Sequence, residues 1–320
     1  MKEVRNAALY VAEASRHVGI DKEALISFSK KVLSERIEVP QWNRRYHFRG
    51  DGQDTVSYLL VLDSLNFCFW QGPDKAEWEI EYESEWLSGY YALAASLKKA
   101  IESGIPITRA EFLAGLSLDR LKGILGGRGE LQLLERRVQI LNELGHFLLR
   151  EYNGEASRLV EAAGSSAEKL VRLLIENVPS FQDAAEYLDR KVYFYKRAQI
   201  FCADLYGTFS GEQWGKFKDI DRLTAFADYK LPQVLCHLGL LCYDETLAQK
   251  VDRKILLEPG SDEEIEIRAN TIWAVEMICR ELEQMGKALR AFEIDWILWN
   301  MGQRSLFKSR PHHRTVTIFY

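Results

Sequence analysis

Two stretches of this chain set a charged side chain among apolar ones, and both invite a chemical reading. In 191–206 (KVYFYKRAQIFCADLY), Phe194, Ala198, Phe201 and Leu205 recur at helical spacing. Lys196 lies one turn before Ile200 and shares a face with Ile200 and Ala203. Such a lysine either covers apolar surface with its stem or aims an ammonium into a site. In 223–235 (LTAFADYKLPQVL), Leu223, Phe226 and Ala227 fit a helix that ends near Leu231, because the residue before a proline avoids the α region. Pro232 suits the first turn of the next helix. Asp228 then falls at a helix–helix junction. It serves there as a cap worth about 1 kcal/mol, or as a carboxylate directed into a cleft.

Two aromatic segments add candidates. SLNFCFW (64–70) interrupts apolar rings with one amide, Asn66. Phe67, Phe69 and Trp70 could stack on a planar heterocycle while Asn66 bonds its edge; core packing around a satisfied amide is the plainer account. EIDWILW (293–299) puts Asp295 and Trp299 on one helical face, with Trp296 beside them, or it is a core helix with a surface aspartate. From Arg304 to Arg314 run four cations (Arg304, Lys308, Arg310, Arg314), no acid and two histidines. That run suits one phosphate group, or forms a solvated tail. EEIEIR (263–268) alternates, yet reads as the start of a charged-face helix. GILGGRGE (123–130) lacks the GK[ST] ending of a phosphate loop and reads as a tight structural hairpin.

Mostly helices must carry these residues. Residues 3–18 and 21–35 are amphipathic, with Asp21 as an N-cap. Residues 40–54 are irregular, basic and aromatic, and 54–65 is a buried helix or strand. AEWEIEYES (76–84) alternates, with Trp78, Ile80 and Tyr82 on one side, after a turn at Gly72–Pro73; that predicts a strand. Helices follow at about 85–103, 108–114 and 130–151. Then come 154–163, 166–177, 181–206, 211–217, 219–229, 232–240, 244–253, 261–289 and 291–300. The tail PHHRTVTIFY predicts a docked strand. No long linker or repeat interrupts the chain, so residues 1–320 read as one mainly α domain with a small β element.

The 320 residues are 47% hydrophobic and 28% charged, a globular profile. Lys+Arg is 42 against Asp+Glu 47, a net charge of −5, which argues against duplex nucleic acid and anionic membrane as partners. Five cysteines without a CxxC pair argue against a disulfide framework or zinc ribbon. No His/Cys spacing suggests a metal. No signal peptide and no long apolar run are visible, so a reducing cytoplasm is expected.

LNFCFW (65–70), GIPIT (104–108), FYKRAQI (194–200), LTAFADYKLPQVL (223–235), EIEIR (264–268) and HRTVTIFY (313–320) together resemble the queuosine salvage proteins. The blocks run in order from about residue 36 to the C-terminus. Two positions depart mildly: Ala225, where a larger apolar residue is common, and Lys230–Leu231, where Arg–Val is common. The resemblance implies a helical fold similar to the helix-hairpin-helix DNA glycosylases. It also implies an N-glycosylase that releases queuine from queuosine 5′-phosphate without metal or organic cofactor. Carried over by motif, the essential aspartate falls on Asp228 and the active-site lysine on Lys196. Tyr229, beside Asp228, is a further substrate-binding candidate.

That chemistry suits these groups. Breaking an N-glycosidic bond builds positive charge at C1′, which a fixed carboxylate stabilises or attacks. Two charges about 4 Å apart at an effective dielectric near 20 interact by roughly 4 kcal/mol, about three decades of rate. Base activation and positioning must supply the rest. Lys196 could keep Asp228 ionised, orient ribose or water, protonate the base, or form a Schiff base. Phe67, Trp70, Trp296 and Trp299 are candidates for stacking, and Asp295 for pairing with the cationic amine of queuine. His47, Arg49, His313 and Arg314 are candidates for the phosphate. The other readings are a nucleoside or DNA-base glycosylase, a non-catalytic modified-nucleotide or tRNA-binding module, and a helical scaffold.

Overall fold

A computed structural model describes residues 1–72 and 75–320. Gly72–Pro73, the expected turn, therefore lies partly outside the described residues. In chain order the elements begin α1 (Lys2–Ala14), β1 (Val18–Ile20), α2 (Lys22–Ser34), α3 (Gly52–Ser64), β2 (Glu79–Tyr82) and β3 (Glu85–Ser88). They continue with α4 (Gly89–Glu102), α5 (Ala110–Ala114), α6 (Leu118–Leu125), α7 (Leu134–Tyr152), α8 (Ala156–Ala162) and α9 (Ala167–Asn177). Then come β4 (Ala184–Tyr187), β5 (Arg190–Tyr193), α10 (Lys196–Thr208), α11 (Lys230–His237), β6 (Leu241–Tyr243) and α12 (Glu245–Asp252). α13 (Asp262–Gln284), α14 (Ala291–Met301) and α15 (Ser305–Lys308) complete the chain. The fold is mainly α with three small antiparallel pairs: β1 with β6, β2 with β3 and β4 with β5.

Several expectations hold in detail. Asp21 caps α2 by accepting from the Ala24 N–H. Residues 54–65 resolve as helix α3. Trp78, Ile80 and Tyr82 all point inward. The glycine-rich turn is structural, but it docks on β2 rather than pairing with itself: Arg128 exchanges backbone hydrogen bonds with Glu79. Gly127 sits at φ +84°, and a Cβ there would lie 2.2 Å from the Glu79 carbonyl oxygen, so only glycine fits.

Other expectations need correction. The helices predicted over 85–103 and 181–206 each begin with hairpin strands. The two-residue turns Glu83–Ser84 and Leu188–Asp189 both take left-handed φ values, the type I′ geometry that closes a tight hairpin. Neither pair has the Asn-Gly or Asp-Gly signature, so the turns were invisible in sequence. α6 fills a gap left unassigned. The 211–217 stretch is a short 3-10 turn. The predicted 219–229 helix is a 3-10 turn followed by extended chain. There, buried side chains satisfy the backbone in place of a helix: Gln199 accepts from Thr224 N–H, Asp295 from Phe226 N–H, and Arg268 donates to the Ala227 carbonyl. The tail is extended but, among the described residues, pairs only through an isolated bridge, Leu256 with Arg314, and Tyr320 is buried at its end.

One apolar cluster joins α1, α3, α4 and α7 to α10; another joins α2, α11, α13 and α14. α13 borders both, offering Ile265, Ala269 and Ile272 to the first and Ile267, Val275 and Ile278 to the second. The charged face expected at 263–268 is therefore buried at Glu264, Glu266 and Arg268. Glu266 accepts backbone N–H groups of Arg16, His17 and Val18 and the Tyr187 hydroxyl. No helix is long and apolar enough to cross a membrane, among the described residues.

Candidate functional site

The extended 223–228 segment passes between the two clusters and delivers Asp228 to the start of α11. Asp228 Oδ1 accepts the Lys230 and Leu231 N–H groups at 2.7 and 2.9 Å. The cap and the cleft are thus both real, since the same carboxylate lines a cavity. Lys196 opens α10 directly after Tyr195, which holds a left-handed φ of 52°. Its ammonium donates to the Asn66 carbonyl at 2.8 Å. Burial pushes its pKa down to about 8, against the opposing pull of Asp228.

A buried ion pair ties these two residues together. Arg268 forks onto Asp183 at 2.8 and 2.7 Å and also donates to the Ala227 carbonyl at 3.1 Å. Asp183 Oδ2 accepts the Lys196 N–H at 3.1 Å. The bidentate geometry fixes the spacing between the chain at Lys196 and the chain before Asp228. A second buried arginine, Arg137 of α7, donates to the carbonyls of Leu65, Phe67 and Cys68 and lies 4.1 Å from the centre of the Phe67 ring. It shapes the loop that carries Asn66, Phe67 and Trp70. Arg137 gives no sequence signal; Arg268 lies inside EIEIR, where the sequence suggests only the start of a charged-face helix.

Two cavities meet here. One, about 200 Å³, is walled by aromatic groups including Trp42, His47, Tyr90, Phe226, Trp296 and Trp299. Its charged lining is acidic only: Asp204 and Asp295. Asp295 Oδ2 accepts the Phe226 N–H at 2.7 Å, and burial raises its carboxyl well above the ordinary range. The other cavity, about 310 Å³, is lined by Lys196, Lys230, Lys254, Lys308, Arg310 and Arg314, against the acids Asp228 and Glu77. Asn66, Tyr90, Tyr91 and Trp299 border both.

The structure therefore brings most sequence candidates together. Phe67, Trp70, Tyr229 and Arg314 line the basic cavity with Lys196 and Asp228. His47, Asp295 and Trp296 line the aromatic one. His47 lies away from the cations: its Nδ1 is 2.6 Å from the Asn43 carbonyl and its Nε2 is 3.0 Å from the Tyr90 hydroxyl. Burial pushes its pKa down to about 4, so it is neutral near pH 7. Two candidates stand apart. Arg49 is exposed and lines neither cavity. His313 is buried against Tyr320, 3.3 Å from its hydroxyl, and its neighbour His312 faces the basic cavity instead, 4.6 Å from the Tyr229 ring. Tyr90, Asp204 and Lys254 escaped sequence reading, because each is an isolated polar residue with no local pattern of its own; Lys230 stands inside LTAFADYKLPQVL, where it reads only as a mild departure from the family pattern.

An aromatic cavity with two acidic residues thus borders, across Asn66, Tyr90, Tyr91 and Trp299, a cationic cavity that holds Asp228 and Lys196, and the pair has the chemistry to take a flat polar molecule that carries an anionic group. The chain belongs to the queuosine salvage protein family, whose family model matches residues 46–320. It is 46% identical over 310 residues to a queuosine 5′-phosphate N-glycosylase/hydrolase of Sphaerobacter thermophilus, covering 97% of this chain and 95% of that one. It is 36% identical to the mouse protein of the same name over 99% and 98% of the two chains, and 32% identical to that of Schizosaccharomyces pombe over 95% and 92%.

Proposed function

We propose that this protein hydrolyses the N-glycosidic bond of queuosine 5′-monophosphate and releases queuine, with Asp228 as the carboxylate that stabilises or attacks the ribosyl cation. The observation that carries this reading is the placement of Asp228 and Lys196 together on the cationic side of the wall shared with the aromatic chamber. The 5′-phosphate then sits among the cations near Arg314, the ribose lies over Asp228, and the deazapurine stacks in the chamber among Trp296, Trp299 and Tyr90. Asp295 there is placed to meet the cationic amine. Lys196 holds its proton against burial partly through the charge of Asp228.

The same reading keeps the kinship to helix-hairpin-helix glycosylases and treats residues 1–320 as one domain. The border position of α13 between the two clusters supports the latter. Duplex nucleic acid is not a partner on this reading: the clustered cations line a concavity sized for a small molecule, in a chain of net charge −5. Five unpaired cysteines suit a reducing cytoplasm.

The test is mass-spectrometric assay of queuosine 5′-phosphate, queuosine and guanosine 5′-phosphate with the wild type and Asp228→Asn. Asparagine keeps the cap acceptor, so the fold survives while the charge goes. Queuine released by the wild type only, fastest from the nucleotide, is expected, with the variant slower by about three decades or more. Nucleotide bound but never cleaved by the wild type would replace this reading with a binding module.

A further inference from the structure

Behind the aromatic chamber lie two carboxyls that the reaction above leaves without a task. Asp63 of α3 is fully buried, and neither of its oxygens has a hydrogen-bonding partner of ordinary geometry. Its close neighbour is the carboxyl of Asp204 of α10, which lines the chamber itself. Two ionised carboxylates side by side in a dry interior repel strongly, so such a pair retains a proton. Burial, and for Asp63 the neighbouring acid, raises both above the ordinary carboxylate range.

The hydrogen bonds locate that proton. His47 Nδ1 faces a carbonyl, the Asn43 oxygen at 2.6 Å, so Nδ1 carries the hydrogen. The neutral ring then has a bare Nε2, which the Tyr90 hydroxyl must supply at 3.0 Å. Tyr90 has one proton and has spent it there. Its remaining contact, 3.4 Å to Asp204 Oδ2, is favourable only if Asp204 supplies the hydrogen. The array runs in one direction, from an acid at the chamber wall to the Asn43 carbonyl.

We propose that Asp204, as a neutral carboxylic acid sharing its proton with Asp63, is the general acid that protonates the departing base, and that Asp63 positions and tunes it. This rests on the reading that the base occupies the aromatic chamber. In the step, the C1′–N bond breaks and its electron pair goes to the base, which takes the Asp204 proton. The oxygen of a water bonds to C1′ and sheds one proton to solvent, and the carboxyl pair regains one from solvent. The groups facing the pair are Tyr58 of α3, Tyr90 of α4, Lys196, Arg197 and the Cys202 thiol of α10, and Asp295 of α14.

The experiment compares wild type, Asp204→Asn and Asp63→Asn, as full chains, on two substrates. One is queuosine 5′-monophosphate. The other is p-nitrophenyl β-D-ribofuranoside 5-phosphate, whose nitrophenolate departs without a proton. Asp204→Asn is expected to slow queuine release a hundredfold or more, the usual worth of general acid catalysis being about 10²–10⁴. It should leave aryl cleavage within about threefold, since no proton is needed there. Equal losses on both substrates, or no loss on the nucleotide, overturn the proposal. Asp63→Asn is the second arm. An amide donating to Asp204 lowers its pKa, so the alkaline limb of queuine release should move to lower pH; an unmoved limb overturns the proposal even if Asp204→Asn does not fold or the aryl substrate is not accepted. A wild type that cleaves neither substrate overturns the functional reading itself, so the two failures stay distinct.

Discussion

The aromatic cavity and the basic cavity share Asn66, Tyr90, Tyr91 and Trp299, yet they are built from different material. The aromatic one is walled by helices α4, α10 and α14 and by the 40–47 loop, and its buried polar groups Asp295 and His47 are hydrogen-bonded: Asp295 to Phe226 N–H, His47 to Asn43 and Tyr90. The basic one gathers its cations from helix starts, turns and the tail: Lys230 at the head of α11, Lys254 beyond α12 at φ +57°, Lys308 at the end of α15, then Arg310 and Arg314. In the first, low dielectric makes each charge strong and each pKa mobile. In the second, partly solvated cations act additively and are screened by salt. Variants of the wall between them should change turnover, whereas variants of the basic rim should change affinity for the phosphate.

Lys196 stands on the wall and gives the largest effect. Lys196→Met removes the cation facing Asp228, and kcat should fall about a hundredfold, some 2.7 kcal/mol, with little change in KM. The wild type supplies a pH test on the aryl ribosyl phosphate. The lysine pKa is depressed from 10.5 to about 8, so the ammonium is present below that pH and lost above it. Activity should therefore fall on the alkaline side with a midpoint near 8, and Lys196→Arg should abolish that limb. A flat profile through pH 9 would remove Lys196 from the wall's chemistry.

Arg314→Ala tests the other side. Its guanidinium lies 5.2 Å from the centre of the Trp70 ring, on the basic cavity. A charge-assisted hydrogen bond to phosphate contributes about 1.5–3 kcal/mol, so KM for the nucleotide should rise at least about tenfold while the nucleoside is handled as before. If the preference for nucleotide over nucleoside persists unchanged, the phosphate lies elsewhere.

How much of this was legible depended on how local each signal was. The stripe Phe194, Ala198, Phe201 and Leu205 is fully buried as its spacing implies, and Asp295 with Trp296 and Trp299 lines one cavity as a shared face implies. Apart from Phe194, which precedes α10, those are properties of one helix. The extended 223–228 chain was not legible, because its backbone partners, Gln199, Asp295 and Arg268, come from three other elements. The buried face of α13 failed for the same reason: Glu266 and Arg268 look solvated until the loop at Arg16 and the Asp183 carboxylate are brought against them. His313 and His312 differ by one position along an extended tail, and alternation alone does not say which faces inward.

The smallest effect separates the two cavities most cleanly. Glu77 is exposed at the rim of the basic cavity, and its carboxylate acts on Lys230 and Arg314. It opposes an incoming phosphate, so Glu77→Gln should lower KM for the nucleotide, by about twofold, as expected for one solvated charge. Added salt should erase the gain, because at about 1 M the screening length is only about 3 Å. Turnover should not change, since Glu77 touches nothing in the aromatic chamber. Steady-state assays at two salt concentrations decide it. A gain that survives high salt would mean that Glu77 acts through structure rather than charge. A change in kcat would mean that the basic rim and the aromatic chamber are not the separable halves that their construction implies.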